Sequence, residues 1–263
     1  MTSKLNLPRE LRDFEETIRS TAKSFIKILP QKAAETTWWQ SKIGGNPYMP
    51  KSATYPADLE GNHLFFLAQI NFEEAPFLPP FPDKGILQFF IFDDPFYGME
   101  INDPYSQDGF RVVYYDHLIN DETQLVTDFS FLRNFMPDPI DPLVSFPLKF
   151  QLEEEYVPTV DYQFDQLFGE EFFYQFGEKE WELLEDYNQL IRSAGHKLGG
   201  YAHFTQEDPR HNQPSPLQLL FQLDSDRNIR CNWGDLGIAN FFITPEDLNS
   251  LNFDRVFYNW DSP

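Results

Sequence analysis

The residues best suited to chemistry lie in two short stretches of the second half of the chain. Asp224, Asp226, Asn228, Asn232 and Asp235 fall at positions 1, 3, 5, 9 and 12 of a twelve-residue window. Oxygen ligands at that spacing can converge on a hard divalent cation such as calcium. Ile229 occupies position 6, where an EF-hand loop needs glycine, and Asp235 replaces the bidentate glutamate of position 12. The same residues also read as a β-hairpin turn whose Asp and Asn side chains bond their own backbone. Asp224, Asp226, Asn228 and Asp235 are therefore candidate ligands of a looser cation site, set against a purely structural turn. His196, His203, Asp208, Arg210 and His211 form the second group, with three of the five histidines inside sixteen residues. A His/Asp ligand-binding or acid–base site is one reading; a polar surface loop is the other. Their spacing matches no zinc motif, and no cysteine cluster completes one.

Other chemistries lack their signatures. The chain contains no GxGxxG, no phosphate-binding P-loop and no GxSxG elbow. Cys231, the one cysteine, excludes an internal disulfide and fits a reducing compartment. It is expected on a short strand over 229–233 and has no neighbouring histidine to activate it. The net charge of −22 opposes nucleic-acid phosphates and anionic membranes. That charge suits solubility, a basic protein partner or divalent cations. The opening Met1–Lys4 lacks the apolar core of a secretory signal. No apolar run approaches the ~18 residues of a membrane span. The expectation is a soluble, cytoplasmic protein.

The elements that must position these residues come in two copies. Gly85-Ile86-Leu87-Gln88-Phe89-Phe90-Ile91 returns as Gly237-Ile238-Ala239-Asn240-Phe241-Phe242-Ile243. Lys42-Ile43-Gly44-Gly45 matches Lys197-Leu198-Gly199-Gly200, and Leu64–Asn71 matches Leu217–Asp224. Arg111-Val112-Val113-Tyr114-Tyr115 matches Arg255-Val256-Phe257-Tyr258. Landmarks recurring in one order predict an internal duplication with an approximate two-fold. The apolar runs, rich in aromatic and β-branched residues and bounded by turn residues, predict strands buried on both faces. The Gly-Gly pairs predict sharp turns or close backbone approach. Gln69 and Gln222, at matching places in apolar strands, must have their amides hydrogen-bonded, with backbone near the Gly-Gly turns as the natural partner.

Between these landmarks the apolar stripe Leu11, Phe14, Ile18, Ala22, Phe25 and Leu29 predicts a helix over 8–29, begun by Pro8 and stopped by Pro30. Residues 72–84 read as an ordered Pro- and Phe-rich loop. The prolines of 136–148 mark the boundary between a first half of about 30–135 and a second of about 150–263. Glu178–Ile191 reads as a central acidic helix with Trp181, Leu184, Tyr187 (or Leu183) and Ile191 on one face. Thr244-Pro245-Glu246-Asp247 reads as the start of a short helix.

Ser41–Pro47, Tyr55-Pro56 and Phe66–Asn71 resemble the first half of the YwqG family. His196–Tyr201, Leu220–Asp226 and Trp233–Gly237 resemble its second half. Tyr55 stands where that family more often has tryptophan. The resemblance covers about 35–261 and implies a duplicated α+β or mainly-β domain. It brings no catalytic residues, because the family is one of unknown function. The fold expected is a single α+β domain of two similar β-rich halves with predominantly antiparallel sheet. Two functions remain open: a non-catalytic acidic module binding a basic protein, and a small-ligand or cation-dependent binder or enzyme. The second would have a cleft between the halves lined by loops 201–211 and 224–235.

Overall fold

In the computed structural model, residues 5–211 and 213–263 are described; the opening Met1–Lys4 and position 212 of the polar loop lie outside the described residues. Ten strands form one antiparallel sheet: β1 (Lys23–Pro30), β2 (Lys42–Ile43), β3 (Phe65–Asn71), β4 (Ile86–Ile91), β5 (Phe110–Tyr115), β6 (Phe146–Glu155), β7 (Lys197–Gly199), β8 (Gln218–Asp224), β9 (Ile238–Ile243) and β10 (Phe257–Asp261). Their order is β10-β9-β8-β7-β1-β6-β2-β3-β4-β5. Exchanging β1 with β6, β2 with β7 and so on reverses this order onto itself. The symmetry centre is the β1–β6 pair. Each of these strands crosses over: β1 precedes β2 in the chain but pairs with β7, and β6 precedes β7 but pairs with β2.

Detailed geometry follows the same symmetry. The β3–β4 register skips Leu67, and the β8–β9 register skips Leu220. These bulges increase local twist and help each half-sheet curl. Gly44 and Gly45 have φ of +69° and +72°, and Gly199 and Gly200 have +71° and +74°. A Cβ on Gly44 would meet the Val144 carbonyl oxygen at 2.3 Å, and one on Gly200 would meet Glu155 Oε1 at 2.1 Å. Both the sharp turn and the close approach expected of these pairs are present.

The two half-sheets fold over one another into a nearly closed barrel. Phe89 on β4 stacks on Phe221 of β8 at 4.4 Å between ring centroids and tilts against Phe241 of β9 at 4.9 Å. Phe110 and Tyr258 meet across the far ends at 5.1 Å. β3, β4 and β9 are buried at every position, which is why they read as continuous apolar runs.

Helices are few: α1 (Glu15–Ser20), α2 (Tyr162–Phe168), α3 (Glu180–Leu190) and α4 (Pro245–Asn249), with short 3-10 turns. The helix expected over 8–29 is present only as a 3-10 turn Arg9–Phe14 and α1; Lys23–Pro30 is strand β1. The segment Phe25-Ile26-Lys27-Ile28 fits both periods, and pairing to β6 and β7 on either side decides it. Leu11 and Ile18 keep the predicted stripe and pack with Phe164, Phe172, Leu183 and Tyr187. α3 forms as expected, but Leu183, Tyr187 and Ile191 face inward while Trp181 is 74% exposed. α4 has Thr244 as its N-cap, whose side chain accepts from the Asp247 N–H. Residues 229–233 are not a strand. A single bridge between Asp226 and Cys231 closes the turn, and Ile229 and Cys231 are buried within it.

Candidate functional site

The buried amides establish how the site region is held. Gln222 Oε1 accepts from the His203 N–H at 2.8 Å, and its Nε2 donates to the carbonyls of Ser193 and Gly195 at 2.9 and 2.7 Å. Gln69 repeats this with the Tyr48 N–H and the carbonyls of Trp38 and Gln40. On the next strands, Gln88 donates to the Tyr48 carbonyl and Asn240 to the His203 carbonyl. These backbone partners flank the Gly-Gly turns, so each amide ties its turn to the sheet.

His196 is fixed in the same way. Its Nδ1 accepts from the Asp224 N–H at 3.1 Å, so Nε2 carries the proton toward Asp226 Oδ2 at 3.3 Å. The His196 contact, with the Asn228 N–H, holds the Asp226 carboxyl below the usual carboxylate range. Asp224 accepts from the Gly195 N–H at 2.7 Å. These residues border a cleft of about 760 Å³ running across β1, β6 and β7, the seam between the halves. Its wall also carries Phe25, Lys27, Glu153, Glu154, Arg192 and the ion pair of Lys197 with Glu155. Lys197 Nζ donates to both Glu155 oxygens at 2.9 and 2.8 Å. Burial pushes the Glu155 carboxyl up and the Lys197 ammonium down, and each partner offsets only part of that shift.

The other candidates go elsewhere. Arg210 is buried and donates from Nη2 to Asp161 Oδ2 and to Asp208 Oδ2, both at 2.6 Å, and from Nε to Asp208 Oδ1 at 2.9 Å. Its guanidinium lies over the rings of Phe242, Phe204 and Tyr162 at 4.7, 5.4 and 5.2 Å. Asp208 and His211 border a second, acidic cavity of about 610 Å³ with Asp161, Asp165, Glu170 and Glu207. His203 Nδ1 lies 3.1 Å from Ser193 Oγ, and burial pulls the imidazole below its ordinary range. The expected meeting of loops 201–211 and 224–235 in one cleft is thus corrected. Residues 224–226 line the seam with His196, whereas Asp208 and His211 line the second cavity, because Arg210 draws their loop toward Asp161.

The cation candidates divide likewise. Asp226 Oδ1 accepts from the N–H and Nδ2 of Asn228 at 2.7 and 2.9 Å, and Asn232 Nδ2 donates to the Gly234 carbonyl. Asp235 is exposed. Among the described residues, no three His, Cys, Asp or Glu side chains gather to hold a metal ion. Cys231 is buried, and burial pushes its thiol up, away from the thiolate.

Sequence reasoning did not nominate Lys42, Lys197, Glu155 or Asp161. The available signal was the lysine repeated before each Gly-Gly pair, a charge kept inside an apolar motif. Asp161 and Glu155 gave none, since both lie within a generally acidic stretch.

An antiparallel ten-stranded sheet, curled nearly shut and with a polar cleft on its central seam, defines a β-rich architecture in which the helices are accessory. The chain belongs to the family described as "Domain of unknown function (DUF1963)", whose model matches residues 41–262. No curated protein matches it. No helix among the described residues is long and apolar enough to cross a membrane.

Proposed function

We propose that this protein is a non-catalytic binding domain of YwqG type, whose two halves arose by internal duplication. In this reading the seam cleft receives a basic segment of a partner protein in the cytoplasm. The observation that carries the reading is the cleft's charge: Glu153, Glu154, Glu155, Asp224 and Asp226 outnumber Lys27, Arg192 and Lys197 along its wall. The chain's net charge of −22 would steer such a partner toward it. Lys197 with Glu155, Lys27 with Glu153 and His196 with Asp226 are already paired. Glu154 and Asp224 are the cleft carboxylates outside these ion pairs, and in this reading they receive the basic side chains of the partner.

The test is fluorescence anisotropy with a labelled lysine-rich decapeptide and its glutamate-rich counterpart, across ionic strength. The lysine-rich peptide is expected to bind, to weaken as salt rises, and to lose about tenfold in affinity on Glu154→Lys or Asp226→Lys. Equal binding of both peptides, or affinity unchanged in the two variants, would reject the reading.

A further inference from the structure

The two lysines that precede the Gly-Gly turns occupy equivalent positions but differ in what they face. Lys197 pairs with Gln222 across the strands, and Lys42 pairs with Gln69. Both are buried, at 2% and 1% exposure. Lys197 meets the Glu155 carboxylate. Lys42 Nζ donates to a single neutral oxygen, the Thr37 carbonyl at 2.9 Å, with the Trp38 ring 5.8 Å away. Among the described residues, no carboxylate forms an ion pair with it. Burying an ammonium without a counter-ion is costly.

The symmetry identifies the missing partner. The exchange of β1 with β6 places Lys27, beside Lys197, opposite Pro147, beside Lys42. Glu155 lies eight residues beyond Pro147, and Glu35 lies eight beyond Lys27. Glu35 is exposed and forms no hydrogen bond or ion pair with Lys42. The charge of Glu74, which is exposed and accepts from the Ser41 N–H, favours the Lys42 ammonium but offsets only part of the effect of burial. Where the second half pairs its lysine with its own carboxylate, the first half has a groove of about 610 Å³ bordered by Lys42, Thr36, Trp38, Asn46 and Ser145; exposed Glu35 also borders this groove but makes no ion pair with Lys42. This groove shares Gly45, Asn46 and Leu143 with an adjoining cavity of about 480 Å³ walled by Tyr55, Phe66, Phe129, Leu132 and Phe135. The Tyr55 hydroxyl, buried there, has no hydrogen-bond partner among the described residues.

We infer that this pair of cavities is a binding site for an apolar monocarboxylate. The carboxylate of the ligand pairs with the Lys42 ammonium as Glu155 pairs with Lys197, and its apolar body lies among the aromatic side chains around Tyr55. The site is separate from the seam cleft, so either proposal can fail alone.

The probes are 2-naphthoate, 2-naphthamide and inorganic phosphate, added to the full chain labelled with nitrogen-15 lysine. The Lys42 Nζ signal is followed against pH, and affinities are taken from calorimetry. Burial lowers the free ammonium to about 8. 2-Naphthoate is expected to bind, raise that midpoint by a unit or more and then saturate, while 2-naphthamide leaves it in place. Lys42→Met should weaken 2-naphthoate at least tenfold. Leu143→Asp, at a rim residue 90% exposed, should weaken it similarly and serves if Lys42→Met does not fold. Binding of naphthoate and naphthamide with equal affinity, an unmoved Nζ midpoint, or a rim variant without effect would overturn the proposal. Phosphate raising the midpoint as far as naphthoate would overturn the apolar-carboxylate assignment.

Discussion

Arg210 decides whether the candidate residues of loop 201–211 serve a ligand or the fold. Its guanidinium is held by two carboxylates, with side-chain exposures of 2% for Arg210, 0% for Asp161 and 5% for Asp208. Replacing it with methionine keeps an apolar side chain in the site, but removes the guanidinium that lies over Phe204 and Phe242 and leaves two buried carboxylates without their cation. Breaking a buried pair by removing one partner costs about 3–5 kcal/mol. Other contacts offset part of this: Asp161 also accepts from the Gln163 N–H, and Asp208 from the Arg210 and Tyr162 N–H groups. The expected loss for Arg210→Met at pH 7 is therefore about 3 kcal/mol, the lower end of that range. Arg210→Lys keeps the charge but cannot reproduce the forked contact to both oxygens of Asp208, and should lose about half as much. Urea denaturation at fixed ionic strength measures both. In Arg210→Met the orphaned carboxylates should take up protons as the pH falls toward 5, so the gap from wild type should narrow there. A loss under about 1 kcal/mol at pH 7, or a gap that does not change with pH, would refute a buried structural pair and return Arg210 to the role of a ligand contact.

Gln222→Leu should cost about 3 kcal/mol in urea denaturation, because three buried backbone groups lose their partner at once; Gln69→Leu should match it within about 1 kcal/mol if the two turns are held alike. Burial depresses His203 below its unfolded value of about 6.5. The unfolded chain therefore binds the proton that the folded chain refuses, and the His203 contribution is complete above about 6.5 and falls as the pH drops below it. Thermal melts between pH 7.5 and 5 should show this decline, and His203→Gln should flatten it. Tyr55→Phe removes a buried hydroxyl that has no partner among the described residues, so the unliganded protein should be unchanged or more stable by up to about 1 kcal/mol on melting.

Strands were legible wherever burial on both faces wrote a continuous apolar run, as in Leu64–Ile70 and Ile86–Ile91. The Gly-Gly turns were legible because only glycine tolerates their φ near +70° beside such close neighbours. The repeat carried the order of these landmarks but not which strand pairs with which. β1 was hidden for that reason. Its apolar residues satisfy a helical stripe as well as a strand, and the deciding contacts come from Glu155 and Gly199, more than a hundred residues away. Asp226-Arg227-Asn228 gave a turn in either reading, and Cys231 was misplaced on a strand because its burial comes from the turn folding inward. The histidines were legible as residues able to titrate. Their separation was not, since it depends on Asp161, one acid among 42 acidic residues.

The crossed strands bear on how far the two halves can differ. β1 and β6 each complete the sheet of the half they do not precede, so neither half can bury its core alone. Phe89, from the first half, stacks on Phe221 from the second at the centre of that shared core. This coupling restrains the interior, and there the halves agree down to single amide hydrogen bonds. Gln69 and Gln222 choose the same three kinds of backbone partner, and the bulges fall at the same step. Differences lie in the helices between β6 and β7 and in the groups around the turns. At one turn Glu155 neutralises Lys197. At the other the chain leaves β1 at Pro30, exposed Glu35 borders the groove without reaching the ammonium, and Lys42 forms no ion pair among the described residues. A scaffold fixed in its core can alter such a position freely only where the energetic cost is met from outside. An incoming carboxylate would supply at Lys42 the charge that the fold itself supplies at Lys197. The asymmetry between the two lysines is thus the feature of this fold that points most directly to a ligand.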